Sequence, residues 1–199
     1  MKKITFPRIM IGTTWISGLV ALGAALLYRL TEAGWLLSLA ITFFTVFYHF
    51  AMRLTVGALV PNTVRPTCRW FQPRPFEAPL YKRLRVKKWK DRMPTYDPRL
   101  FSLQDNTLEG IVRNMCQAEV VHEVIALCSF IPLLFSLMWG TFGVFLTTSL
   151  LAAALDLSFV MLQRYNRPRI LRLIKMQTAT NHSHPQKEPQ GVMKNEKSD

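Results

Sequence analysis

The stretch IMIGTTWISGLVALGAALLY, residues 9–28, decides the class of this protein. It contains no charged residue, and an α-helix of this length crosses the roughly 30 Å hydrocarbon core of a bilayer at about 1.5 Å per residue. Three more apolar runs follow, at about residues 35–60, 120–138 and 141–162. Pro132 lies inside the third run and predicts a kink in a helix that still spans. The sequence therefore predicts an all-α integral membrane protein with about four transmembrane helices.

Basic residues are concentrated between these runs. The 199 residues hold 25 Lys and Arg against 12 Asp and Glu, a formal net charge of +13. Most lie before residue 9, in the segment 61–119 and after residue 162, and few lie in the two short connections. The positive-inside rule then predicts that both termini and the long central segment lie in the cytoplasm. Membrane lipids are the expected partners and nucleic acid is not, because the charges avoid the apolar runs.

Four regions follow from this pattern. They are an N-terminal hairpin at 1–60, a basic segment at 61–119, a C-terminal hairpin with a juxtamembrane helix at 120–177, and a disordered polar tail at 178–199. The first run is interpreted as a retained anchor, with a cleaved signal peptide as the alternative.

Local signals subdivide the basic segment and its flanks. Four prolines predict an extended strap over 65–79, and LYKRLRVKKWK at 80–90 predicts one helix lying on an anionic leaflet. Asn106 and Glu109 resemble a capping box that starts the helix leading into the third span. Pro168 predicts a turn followed by a new interfacial helix.

Familiar catalytic signatures are missing, including GxSxG, HExxH, GxGxxG and the phosphate-binding loop. The three cysteines, with no CxxC spacing, indicate neither a disulfide framework nor a zinc site. No metal and no tightly bound cofactor is expected.

One candidate site lies in CQAEVVHE, residues 116–123. Glu119 and His122 are three residues apart and share a helix face, so the acid would orient the imidazole as a general base for a hydroxyl. The alternative is a polar cap where a helix enters lipid.

A second candidate site lies in QRYNRPRILR, residues 163–172. Arginine forks match phosphate or carboxylate, so these residues suit an anion, although simple membrane anchoring remains an alternative. Asp156, inside the fourth span, is expected to face the bundle interior toward His49 or Arg53.

Three blocks resemble a known family. QRYNRPR at 163–169, VKKWKD at 86–91 and AEVVHE at 118–123 resemble blocks of the bacterial glycosyl-4,4'-diaponeurosporenoate acyltransferases, in the same order. The resemblance implies transfer of a fatty acyl group, from acyl-CoA or an acyl carrier, to the sugar of a glycosylated carotenoid or a similar glycolipid. It points to Glu119 and His122 as catalytic residues. The expected substrate contacts are Arg164, Tyr165, Asn166, Arg167, Arg169, Lys87, Lys88, Trp89 and Lys90.

Two other functions remain open on the sequence. One is a different lipid-modifying membrane enzyme, of the methyltransferase or reductase type, which would also use polar clusters at the ends of its spans. The other is a non-enzymatic module that binds anionic lipid or a protein partner through its basic segment.

Overall fold

The computed structural model describes residues 6–95, 97–140 and 142–183, and the secondary structure within them is helical throughout. Four helical stretches are long and apolar enough to cross a membrane. The prediction of an all-α protein with four spans is therefore confirmed. Lys2, Lys3 and residues 184–199 of the predicted tail lie outside the described residues.

The N-terminal hairpin consists of α1 (Phe6–Thr31) and α2 (Gly34–Leu59). The chain reverses at Glu32, whose φ of 53° is a left-handed conformation that ends the first helix. Close packing of the two helices depends on Gly18, where an added Cβ would lie 3.0 Å from the Phe47 ring. Large side chains such as Trp15 and Leu19 remain exposed on the outer face, as expected of a surface covered by lipid.

The basic segment folds into several short helices. They are a 3₁₀ turn at Arg69–Phe71, α3 (Glu77–Arg83), α4 (Val86–Trp89) and two more 3₁₀ turns at Lys90–Arg92 and Pro98–Phe101. The predicted strap therefore contains a helical turn and gives way to α3 at its end. The single helix predicted over 80–90 is wrong, because Arg85 adopts a φ of 52° and separates α3 from α4.

The third span begins with α5 (Leu108–Cys128). The predicted cap at Asn106 is off by one residue, since the hydroxyl of Thr107 accepts the bond from the Gly110 backbone N–H. Asn106 instead donates to the Arg99 carbonyl. Pro132 predicts a kink in a continuous helix, but α5 ends at Cys128 and the chain passes into a 3₁₀ turn at Ile131–Phe135 and then α6 (Ser136–Trp139).

The last helix, α7 (Phe142–Ser183), is continuous, so the predicted turn before Pro168 is wrong. Pro168 removes one backbone donor, but the helix beyond it is stabilised by packing. Its apolar residues Ile170, Leu171 and Ile174 contact the core formed by Phe71, Val112 and Cys116. The helix also reaches Ser183, past the tail boundary predicted at residue 178.

The helices pack as two hairpins, α1 with α2 and α5 with α7, joined by contacts between α2 and α5. The predicted hairpin arrangement is thus confirmed. The α5–α7 pair positions the polar residues considered next.

Candidate functional site

The first polar group, the arginine cluster, consists of Glu77, Glu119, Arg164 and Arg167. Arg164 pairs with Glu119 and with Glu77, whose Oε1 lies 2.5 Å from Nη2 and 2.9 Å from Nε. Its two terminal nitrogens also donate to the backbone carbonyls of Trp70 and Gln72, each at 3.1 Å. All five N–H donors of this guanidinium are therefore used within the protein.

Arg167 is buried at 2% exposure beside the same carboxylate. Its Nη2 lies 2.5 Å from Glu119 Oε2, and its Nη1 donates to the Cys116 thiol at 3.1 Å. Its guanidinium carbon lies 5.3 Å from the centre of the Phe71 ring, within the range of a cation–π contact. Two arginines thus face two glutamates, and the cluster is formally neutral.

This geometry argues against the predicted anion site at Arg164 and Arg167. A phosphate would have to displace buried carboxylates from both guanidinium groups, which leaves those carboxylates without partners. The cluster instead joins three parts of the fold, since its members come from α3, α5 and α7. We therefore assign it to holding the basic segment against the hairpin.

Tyr81 extends this cluster outward from Glu77. Its hydroxyl donates to Glu77 Oε2 at 3.1 Å, and its ring meets Tyr165 edge-to-face at 5.7 Å. Burial, and then the negative charge of Glu77, raise the pKa of Tyr81 above its ordinary value. The phenol consequently remains a neutral donor at physiological pH.

The second polar group, the histidine cluster, consists of His122, Asp156 and Arg53. His122 Nδ1 lies 2.9 Å from Asp156 Oδ1, and the other carboxylate oxygen of Asp156 pairs with Arg53. Asp156 is 1% exposed, so its charge is stabilised by these two neighbours rather than by solvent. Of the two neighbours expected for Asp156, His49 and Arg53, the structure brings Arg53 into contact with it.

The His122 ring is held by two contacts and is open on one side. It stacks on Phe159 of α7 with ring centres 4.6 Å apart and planes 13° from parallel. The side chain retains 23% exposure, and Nε2 makes no hydrogen bond within the described part of the chain. An imidazole fixed through Nδ1 with Nε2 accessible has the arrangement that a general base requires.

The predicted pairing of Glu119 with His122 is not formed. Residues three apart on a helix are rotated by about 60°, and here this rotation directs them to different partners. Glu119 faces the arginines of α7, whereas His122 faces Asp156. The acid that orients the imidazole therefore comes from another helix.

His49 lies one turn before Arg53 on α2. Its carbonyl accepts a hydrogen bond from Arg53 Nη1 at 3.0 Å. Neither ring nitrogen of His49 has a partner among the described residues, although both are buried. His49 therefore adjoins the histidine cluster without a side-chain bond to Asp156.

The remaining predicted substrate residues form no ion pair with either cluster in the part of the chain that the structure describes. Arg169 sits over the Tyr165 ring at 4.4 Å and donates to its hydroxyl at 2.7 Å, while Asn166 is half-buried. Trp89 donates to the Leu84 carbonyl and Lys90 pairs with Asp91. Lys87 and Lys88 are exposed on α4. Their roles in binding substrate stay predictions.

Sequence reasoning missed Glu77, which the structure places in the arginine cluster against Arg164. One signal was present: Glu77 is the single acidic residue between positions 61 and 90, a stretch rich in arginine and lysine. An isolated acid in such a stretch indicates a specific partner.

The fold and the two clusters define a four-span membrane protein in which a buried aspartate contacts a half-buried imidazole where two helices of one hairpin meet. A family model for glycosyl-4,4'-diaponeurosporenoate acyltransferase matches residues 67–176, which is more than half of the chain. The chain belongs to this family of membrane acyltransferases, as its sequence blocks suggested, and it is an enzyme. Comparisons with curated proteins and with solved structures gave no match. His122 and Asp156 lie inside the matched residues, whereas Arg53 lies before them.

Proposed function

We propose that the protein esterifies a sugar hydroxyl of a glycosylated carotenoid, or of a similar glycolipid, with a fatty acyl group. The observation that carries the mechanism is the contact of His122 Nδ1 with Asp156, made by an imidazole that stacks on Phe159 and keeps part of its surface exposed. The family match supports the reaction class. The acyl donor is a thioester of coenzyme A or of an acyl carrier.

The proposed reaction uses His122 as the base. Nε2 takes the proton of the sugar hydroxyl while the oxygen attacks the acyl carbonyl, forming the new C–O bond. The tetrahedral species then collapses, the C–S bond breaks, and the imidazolium returns the proton to the departing thiolate. The products are an ester and a free thiol, so atoms and protons balance.

Asp156 and Arg53 support this base from neighbouring helices. Asp156 fixes the tautomer that leaves Nε2 unprotonated and stabilises the imidazolium that forms during the reaction. Arg53 offsets the charge of Asp156, which is otherwise costly inside a membrane. The pairing of Glu119 with His122 is not part of this mechanism.

The acyl donor reaches the site from the cytoplasm in this proposal. The basic residues around segment 61–119 favour a cytoplasmic position for this end of the spans. A cytoplasmic thioester then reaches the site from the aqueous side, and the acceptor reaches it from the bilayer.

The test is acyl transfer by the purified protein in lipid vesicles, with a glycosylated carotenoid acceptor and a fatty acyl thioester. His122→Gln and Asp156→Asn are each expected to lower kcat at least about 100-fold, the size of a general-base contribution. Glu123→Gln is the matched control, because it makes the same acid-to-amide change beside His122 at a side chain bonded to Trp70. Full activity in His122→Gln refutes the mechanism, and consumption of S-adenosylmethionine or NADPH instead of the thioester refutes the function.

A further inference from the structure

The α3–α4 face is an exposed surface made of apolar and basic side chains. Phe76, Leu80 and Leu84 follow one another at intervals of four residues and are 58%, 37% and 43% exposed. Both ends of α3 keep helical backbone angles, so these three residues form one continuous stripe. The exposed basic residues of α3, of α4 and of the turn between them are Lys82, Arg83, Arg85, Lys87 and Lys88.

The charge of this face is not neutralised within the described part of the chain. The two acidic residues nearest in sequence are Glu77, which is buried against Arg164, and Asp91, which pairs with Lys90. The five basic residues make no ion pair there. An apolar stripe flanked by unpaired cations matches a surface that is both apolar and anionic.

The position of this face relative to the membrane follows from α7. Arg164 comes 22 residues after the first residue of that helix, or about 33 Å along its axis, close to the roughly 30 Å thickness of the hydrocarbon core. Glu77 and Tyr81, on the buried side of α3, contact Arg164 and Tyr165. These contacts hold α3 at the edge of the bilayer, where the stripe of Phe76, Leu80 and Leu84 reaches headgroup level.

We propose that the α3–α4 face docks on the anionic leaflet of the membrane that the protein spans. The apolar stripe enters the headgroup region, and the basic side chains bind lipid phosphates. The occupant is a lipid surface rather than an acidic carrier protein, because three large apolar side chains are exposed at membrane level. This inference is independent of the assignment of His122.

The test uses the full chain with Leu84→Cys, carrying an environment-sensitive fluorophore, in a Cys68→Ser, Cys128→Ser background. Cys116 is fully buried and can stay. The protein is placed in vesicles of phosphatidylcholine, or of phosphatidylcholine with an equal part of phosphatidylglycerol. Iodide on both sides reports access from water, and a nitroxide-labelled lipid reports contact with the bilayer. We expect iodide quenching to be at least about fivefold lower in the anionic vesicles than in the neutral ones. That factor is the gain in membrane binding that a single basic residue near an anionic surface provides.

The matched control is a label at Leu103→Cys, another exposed leucine of the basic segment. Leu103 lines a surface depression together with Gln177, which lies 13 residues beyond Arg164 on α7, or about 20 Å further from the bilayer. Its quenching should be the same in both vesicles.

A charge-reversed variant tests the basic residues without touching the buried contacts of α3. With Lys82, Arg83, Lys87 and Lys88 all changed to Glu, the Leu84 label should remain open to iodide in anionic vesicles. The proposal is overturned if the Leu84 label, in the protein that keeps its basic residues, is quenched by iodide equally in the two kinds of vesicle. Protection that requires added acyl carrier protein or acyl-CoA also overturns it, since the face then serves a donor.

Discussion

Glu119 should contribute more to stability than any other single carboxylate of the protein. It is fully buried, and it is the carboxylate that both Arg164 and Arg167 share. The change Glu119→Gln keeps the size of the side chain and removes its charge. Arg164 retains Glu77 and two backbone carbonyls, whereas Arg167 loses its carboxylate partner and faces a neutral amide, the Cys116 thiol and the Phe71 ring.

The magnitude follows from the stranded arginine. Removing one partner of a buried ion pair costs about 3–5 kcal/mol, because the other charge stays buried without compensation. That range lowers the ratio of folded to unfolded protein by roughly a hundred- to several-thousand-fold, at about 1.4 kcal/mol per factor of ten. Glu77→Gln should cost less, because Arg164 then keeps Glu119.

The assay is reversible unfolding in mixed micelles with rising SDS content, followed by circular dichroism. The double variant Glu119→Gln, Arg167→Met is the informative comparison, since it removes the stranded charge together with its partner. It should recover most of the lost stability, as replacing a buried pair by apolar groups is often neutral. The reasoning is refuted if the free energy of unfolding of Glu119→Gln lies within about 1 kcal/mol of the wild-type value. It is also refuted if the double variant is less stable than Glu119→Gln alone.

Three smaller effects are expected in the same unfolding assay. The fold raises the pKa of Tyr81, so the stability that this phenol contributes is complete below its ordinary pKa of about 10 and declines as the pH rises above that value. Tyr81→Phe should therefore weaken the loss of stability at high pH. An unchanged pH profile would contradict the contact with Glu77. Arg85→Gly should stabilise the protein by about 1 kcal/mol, because glycine adopts the left-handed angle at φ 52° without strain. A loss of stability would show that the contacts of the Arg85 side chain outweigh the strain of its backbone. Gly18→Leu should destabilise by about 1–3 kcal/mol through overlap with Phe47, and no change would mean that α1 and α2 separate easily.

Much of the architecture follows from local sequence. The four spans are predictable because twenty apolar residues in lipid have few alternatives to a helix, whose backbone bonds are all internal. Pro132 predicts a kink in the third span because proline lacks a backbone donor, and the structure has a 3₁₀ turn there. A carboxylate inside a span requires a partner, so Asp156 is expected to face His49 or Arg53, and the structure pairs it with Arg53 and His122.

Local rules failed where packing between distant segments prevailed. Pro168 predicts a new helix start, yet α7 passes through it because Ile170, Leu171 and Ile174 pack against the core around Val112. The helix predicted over 80–90 is broken at Arg85, which composition alone does not reveal.

The amino-acid sequence by itself determined the membrane class, the hairpins and the residue types of the polar clusters, because hydrophobicity and helix periodicity act along the chain. Only the tertiary structure decided the partners. Glu119 and His122 share one helix, but the facing helix α7 presents Arg164 and Arg167 to Glu119 and Asp156 to His122. A charge buried away from water pairs with whichever opposite charge the fold brings within a few ångströms, and that choice is made between helices.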